Sequence, residues 1–137
     1  MWNTCSLDFP DGVRNQVLVV TTRSVRPEYA AYLRKMQIPY ILAGDTTIDL
    51  SAALDKLRSL FGIRRFAIVG GATINARFIQ EDLVDEIRLV VAPFIDGSKE
   101  LTITEMPDNT RLTKAFALDR IEKLEHDGVL IIYKRNK

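Results

Sequence analysis

The chain alternates short apolar runs with longer amphipathic stretches. Val17-Leu18-Val19-Val20 is a continuous, largely β-branched run inside the segment from Gln16 to Thr22. A run without alternation predicts a strand buried on both faces, as in parallel sheets. Pro27 suits the first turn of a helix, and Tyr29, Leu33 and Met36 then predict one apolar face on a helix over 27–37. Ile38 to Ala43 is a second apolar run, stopped by Gly44-Asp45. Asp49 is placed to cap a helix whose stripe is Leu50, Ala53, Leu54, Leu57, Leu60 and Phe61, with Gly62 as its stop. Phe66 to Val69 predicts a third strand, a helix follows near 73–81, and Glu86 to Ile95 predicts a fourth strand. Arg111 to Thr113 carries only a marginal strand pattern. Ala115 to Leu124 and Val129 to Tyr133 flank Glu125-His126-Asp127-Gly128, and Asp-Gly between apolar runs predicts a hairpin. Residues 1–16, with Pro10, Asp11-Gly12 and Asn15, read as an irregular arm.

Strands that alternate with helices imply crossovers and a mainly parallel sheet. The expected fold is therefore three-layer α/β with a C-terminal antiparallel hairpin, in a single domain over 17–137. A chain of 137 residues is long enough for one such core.

Composition narrows the partners. Hydrophobic residues make up 47% and charged residues 27%, ordinary for a soluble globular protein. The formal net charge is +1 and no dense Lys/Arg stripe is present, so no nucleic-acid partner is expected. Lys134-Arg135-Asn136-Lys137 reads as a solvated tail. No apolar run approaches the roughly 20 residues needed to span a membrane, and no secretory signal opens the chain. Cys5 is the only cysteine, which rules out an intrachain disulfide and a cysteine-based zinc site. The expected location is the cytoplasm. His126, the only histidine, falls in the hairpin tip and reads as an exposed turn residue rather than a triad member or metal ligand.

In open α/β sheets, ligands bind beyond the carboxyl ends of the strands. Three such ends carry suggestive chemistry. In Thr21-Thr22-Arg23-Ser24, two hydroxyls and a guanidinium suit a ribose phosphate; a helix-capping cluster with a surface Arg is the plainer alternative. Ala43-Gly44 leaves room for a flat adenine or makes a simple turn. Gly70-Gly71 passes from an apolar run directly into a helical pattern. A turn without side chains lets a ligand approach the backbone, and the helix start aims free N–H groups at an anion; a tight βα turn has the same look. Asn75 and Arg77 follow on the helix, where Asn75 faces a ligand, a neighbouring loop or solvent. Asp85 and Glu86, adjacent at the start of a strand, point to opposite faces and shape the turn rather than form a catalytic pair.

The order Gly70-Gly71, Asn75, Leu83-Val84-Asp85-Glu86, Ala92-Pro93, Gly97 resembles the reductase domain of the riboflavin-pathway deaminase–reductases, a branch of the dihydrofolate reductase-like fold. The resemblance runs from about Val17 to the C-terminus and is strongest between Ile63 and Gly97. It implies an NADPH-dependent reduction of a ribosylaminopyrimidine phosphate. It also implies that Thr21, Thr22, Gly44, Gly70, Gly71, Ala72 and Thr73 line the cofactor site, with the Gly-Gly turn at the pyrophosphate and the Thr-Thr turn on the adenosine side. Arg23 as partner of the 2′-phosphate is an inference from its chemistry, and Asn75 is a candidate for the substrate side. No catalytic acid is identified.

Two features depart from the family. Its usual Glu before the Gly-Gly pair is Val69 here. The chain also reads as beginning after the family's first, central strand, so residues 1–137 alone are expected to turn over little substrate. Without that strand, the runs at 66–69 and 86–95 are expected either to pair directly or to leave a gap for another chain, in a homodimer in both cases. Two other readings stand beside the reductase. One is a catalytically incomplete, nucleotide-binding or oligomer-forming remnant; the other is a dihydrofolate reductase-like enzyme acting on a pterin.

Overall fold

In the computed structural model, residues 6–8, 14–95, 97, 102–106 and 113–136 are described, with side chains from residue 17 onward. They form two compact units, divided between Phe66 and Ala67. Cys5, the Asp11-Gly12 turn and most of the marginal strand at Arg111 lie outside the described residues.

The first unit holds two pairs of short strands and two helices. Residues expected to be irregular instead include β1 (Ser6–Asp8) and β2 (Arg14–Gln16), paired antiparallel with Leu7 opposite Asn15. The apolar run at Val17 supplies β3 (Val19–Thr21), which lies parallel to β4 (Tyr40–Leu42), with Val20 opposite Ile41. Helix α1 (Pro27–Lys35) connects them and makes a βαβ unit. Pro27 stands in its first turn, as the sequence predicts.

The buried face of α1 is the expected one only at Leu33. Ala30 and Leu33 are buried, whereas Tyr29 and Met36 are exposed. Small Ala30 lets the helix sit close on one side, and Tyr29 and Tyr32 stack on the other, ring centroids 6.4 Å apart.

Helix α2 (Leu50–Phe61) follows its sequence signals at both ends. The Asp49 carboxylate accepts from the Ala52 N–H at 2.9 Å, and Gly62 closes the helix in the left-handed region at φ 68°. Leu50, Ala53 and Leu57 are buried with Ile41 and Ala43, while Leu60 leaves the stripe for solvent. Each buried leucine contributes on the order of 2 kcal/mol of apolar transfer.

The expected third strand is absent: residues 62–70 belong to no strand. Apolar, β-branched character makes a strand only where a ladder and a covered face await it, and Val69 is 93% exposed. Direct pairing of this run with the next strand therefore does not occur.

In the second unit, α3 (Ala72–Gln80) buries Ala76 and Phe78. Strand β5 (Glu86–Val91) ends short of Ile95 and pairs antiparallel with β7 (Val129–Arg135), which pairs antiparallel with β6 (Phe116–Lys123). The sheet order is β5-β7-β6. The predicted hairpin forms with a longer connection than Asp-Gly alone implies. Lys123 is the last residue paired with Val129, and residues 124–128 bridge them through a 3₁₀ turn at Glu125–Asp127. His126 and Asp127, not Gly128, take the positive φ values, and His126 is exposed.

The chain is thus α/β, as expected. Among the described residues, however, parallel pairing is confined to β3 and β4, because the run at 66–69 joins no sheet. No helix of the described residues is long and apolar enough to cross a membrane.

Candidate functional site

At the carboxyl end of the parallel pair, the backbone joins the two strand exits. Ala43 N–H donates to Thr21 O at 2.8 Å, Arg23 N–H to Gly44 O at 3.0 Å and Ser24 N–H to Asp45 O at 2.9 Å. Thr21, Thr22, Arg23 and Gly44 are therefore brought together. The Thr22 and Ser24 hydroxyls lie 3.0 Å apart, and Arg23 Nη1 donates to Asp45 Oδ1 at 2.8 Å. Both partners of this ion pair are open to water, with side chains 70% and 77% exposed.

Gly44 has a structural reason to be glycine. Its φ is +87°, and a Cβ there would lie 2.0 Å from the Thr47 carbonyl oxygen.

Two polar residues of this end were not singled out from sequence. Asp45 looked like the stop of an apolar run, yet it holds Arg23. The half-buried Lys56 donates from Nζ to the Leu42 carbonyl at 2.5 Å, at the last residue of β4. Its only sequence signal is a lysine three residues after Ala53 and one before Leu57, at the margin of the apolar stripe.

In the second unit, Gly70 and Gly71 lead into α3. Gly70 has φ +95°, and the Gly70–Gly71 peptide is cis. Gly71 is the N-cap in extended conformation and offers no side chain to the helix start. A Cβ on either glycine would meet nothing within 4 Å, so open space adjoins both. Ala72 and Thr73 begin the helix, with Thr73 exposed. An uncapped start leaves the first-turn N–H groups to solvent or to an external acceptor.

Asn75 is committed to a neighbouring loop. Its Nδ2 donates to the Ile103 carbonyl at 2.9 Å, and the Glu105 N–H donates to the Ala72 carbonyl at 3.2 Å. Arg77 pairs with Glu81 one turn on. Asp85 and Glu86 serve the sheet: Asp85 pairs with Arg135 at 2.8 Å and Glu86 with Arg88 at 2.6 Å. The hydrogen bond from Arg88 to Glu86 raises the Arg88 pKa.

Residues 5–130 match the RibD C-terminal domain family. The chain belongs to that family. The match begins upstream of Val17 and takes in the β1–β2 pair. A 2,5-diamino-6-ribosylamino-4(3H)-pyrimidinone 5′-phosphate reductase of Methanothermobacter thermautotrophicus is 34% identical over 102 residues, covering 69% of this chain and 46% of the relative. A reductase of the same name from Archaeoglobus fulgidus is 31% identical over 110 residues, covering 80% of this chain and 48% of the relative. The chain thus spans about half the length of these curated relatives. Among solved structures, a pyrimidine reductase-like protein of Corynebacterium diphtheriae superposes with a TM-score of 0.75 at 20% identity, over 96% of this chain and 54% of that one. That likeness is one of fold.

Proposed function

We propose that this chain is an NADPH-dependent reductase of riboflavin biosynthesis, acting on a ribosylaminopyrimidine phosphate. The observation that carries the proposal is the Gly70-Gly71 turn entering an uncapped α3 in a chain of the RibD C-terminal domain family. Open space at both glycines and a helix start without a side-chain cap fit a pyrophosphate. The Thr21, Thr22 and Arg23 cluster fits a phosphorylated ribose, since guanidinium makes charge-assisted bonds to phosphate. When bound, the nicotinamide supplies the hydride that reduces the open-chain ribosyl carbonyl. The chain's own residues bind and orient: Gly71, Ala72 and Thr73 present backbone donors, and Thr22 and Arg23 present side-chain donors.

The relatives' names support the substrate class. A role as a cytoplasmic homodimer belongs to the same reading. Calorimetric titration with NADPH tests it: saturable binding is expected, and no binding of either nicotinamide dinucleotide overturns it.

A further inference from the structure

The half-buried Asn75 sits in the first turn of α3 and spends its amide donor on a segment far along the chain. That segment, 102–106, carries no helix or strand. Two bonds fasten it beside the helix: Asn75 Nδ2 to the Ile103 carbonyl at 2.9 Å, and Glu105 N–H to the Ala72 carbonyl at 3.2 Å. Ala72 is the first residue of the helix after Gly71, so the second bond holds the first turn through its carbonyl. Helix ends fray unless held, and Gly71 contributes no side-chain cap. The segment binds a side chain and a carbonyl of the first turn and takes none of its N–H groups in these two bonds.

We infer that Asn75 is a positioning residue: it fastens residues 102–106 along the first turn of α3 and thereby holds the Gly70-Gly71 turn ready for an anion it does not itself touch. The inference rests on the dinucleotide reading above only for the identity of that anion. A side-chain amide suits the task because it offers a donor without a charge, and a carbonyl can only accept. Preorganised donors bind an anion more tightly than donors that must first be ordered.

The test uses the full chain and two readouts, amide hydrogen exchange at Glu105 and the dissociation constant for NADPH. Asn75→Leu keeps a similar volume and a good helix former while deleting the donor. We expect faster exchange at Glu105 and binding weaker by roughly fivefold, the scale of one neutral hydrogen bond. Asn75→Gln, which keeps the N–H donor, should restore both in part. Should the leucine variant fold poorly, Asn75→Asp removes the donor at constant shape, and a carboxylate is tolerated in a first turn; it is read by exchange alone. Unchanged exchange at Glu105 in the donorless variants overturns the inference. Weaker NADPH binding with unchanged exchange also overturns it, because Asn75 would then touch the ligand directly. If the unaltered chain binds no dinucleotide, the proposed function fails, while exchange still decides whether Asn75 holds the segment.

Discussion

Arg23 and Asp45 face each other across the carboxyl ends of two parallel strands, guanidinium to carboxylate at 2.8 Å. Each belongs to the backbone bridge between the exits, Arg23 through its N–H and Asp45 through its carbonyl, so their separation is set by the fold. An exposed pair of this kind contributes at most about 1 kcal/mol to stability. Its consequence lies in charge. A phosphate approaching Arg23 meets Asp45 as well, and the carboxylate both occupies a donor and repels the anion.

Arg23→Ala should therefore weaken NADPH binding several-fold and leave NADH nearly unchanged. Asp45→Asn should tighten NADPH binding by releasing the guanidinium. Parallel titrations of both dinucleotides decide it. If Asp45→Asn instead costs NADH its binding, Asp45 holds an unphosphorylated ribose and the assignment of a 2′-phosphate to Arg23 is wrong.

Gly71 and Gly44 should respond in opposite ways to substitution. Gly71 has φ −80°, and its Cβ direction is open, so Gly71→Val should fold normally. Its branched side chain would fill the space in front of the helix start and reduce NADPH affinity at least tenfold, if the pyrophosphate lies there. Gly44→Ala should destabilise the chain by about 2 kcal/mol or more, through positive φ and collision with the Thr47 carbonyl. Thermal melts and titrations of both variants separate the two roles. A Gly71→Val variant that melts and binds like the unaltered chain reduces the turn to a structural feature.

Asp49→Ala removes the side-chain acceptor of the Ala52 N–H and should cost about 1 kcal/mol in chemical denaturation, with no change in dinucleotide affinity. An unchanged denaturation midpoint would show that the cap contributes nothing.

How legible each part was depends on whether its signal is local. Asp49 and Gly62 bound α2 by chemistry contained within a few residues, and both were readable. Pro27 placed the start of α1 for the same reason. The grouping of Thr21, Thr22, Arg23 and Gly44 followed from two adjacent parallel strands ending together. The run at 66–69 has strand character but forms no strand, because a strand needs a partner that propensity does not supply. The Asn75–Ile103 bond was unreadable in detail, since nothing local marks Ile103 as its acceptor. Lys56 carries no such signal, because a lysine beside an apolar stripe is ordinarily a solvated flank.

The sheet of the second unit lines up apolar residues across its three strands. Residues paired across strands share a face, so Leu89, Ile131 and Ile121 form one row, and Ile87, Tyr133 and Leu118 form another. Leu118 and Ile121 are three apart and would ordinarily point to opposite faces. The register shift between Leu118 and Arg120 inserts Asp119 as a bulge and returns Ile121 to the face of Leu118. The result is an apolar face on which Leu118 is 55% and Ile121 59% exposed. A second copy of the chain is the occupant we expect, with burial of about 1,000 Å² or more. Sedimentation at micromolar concentration should show a dimer. The double variant Leu118→Glu, Ile121→Glu should sediment as a folded monomer, because substitutions at exposed positions cost little stability. A monomer in the unaltered chain removes the homodimer proposal, and a dimer that survives both charges places its interface elsewhere.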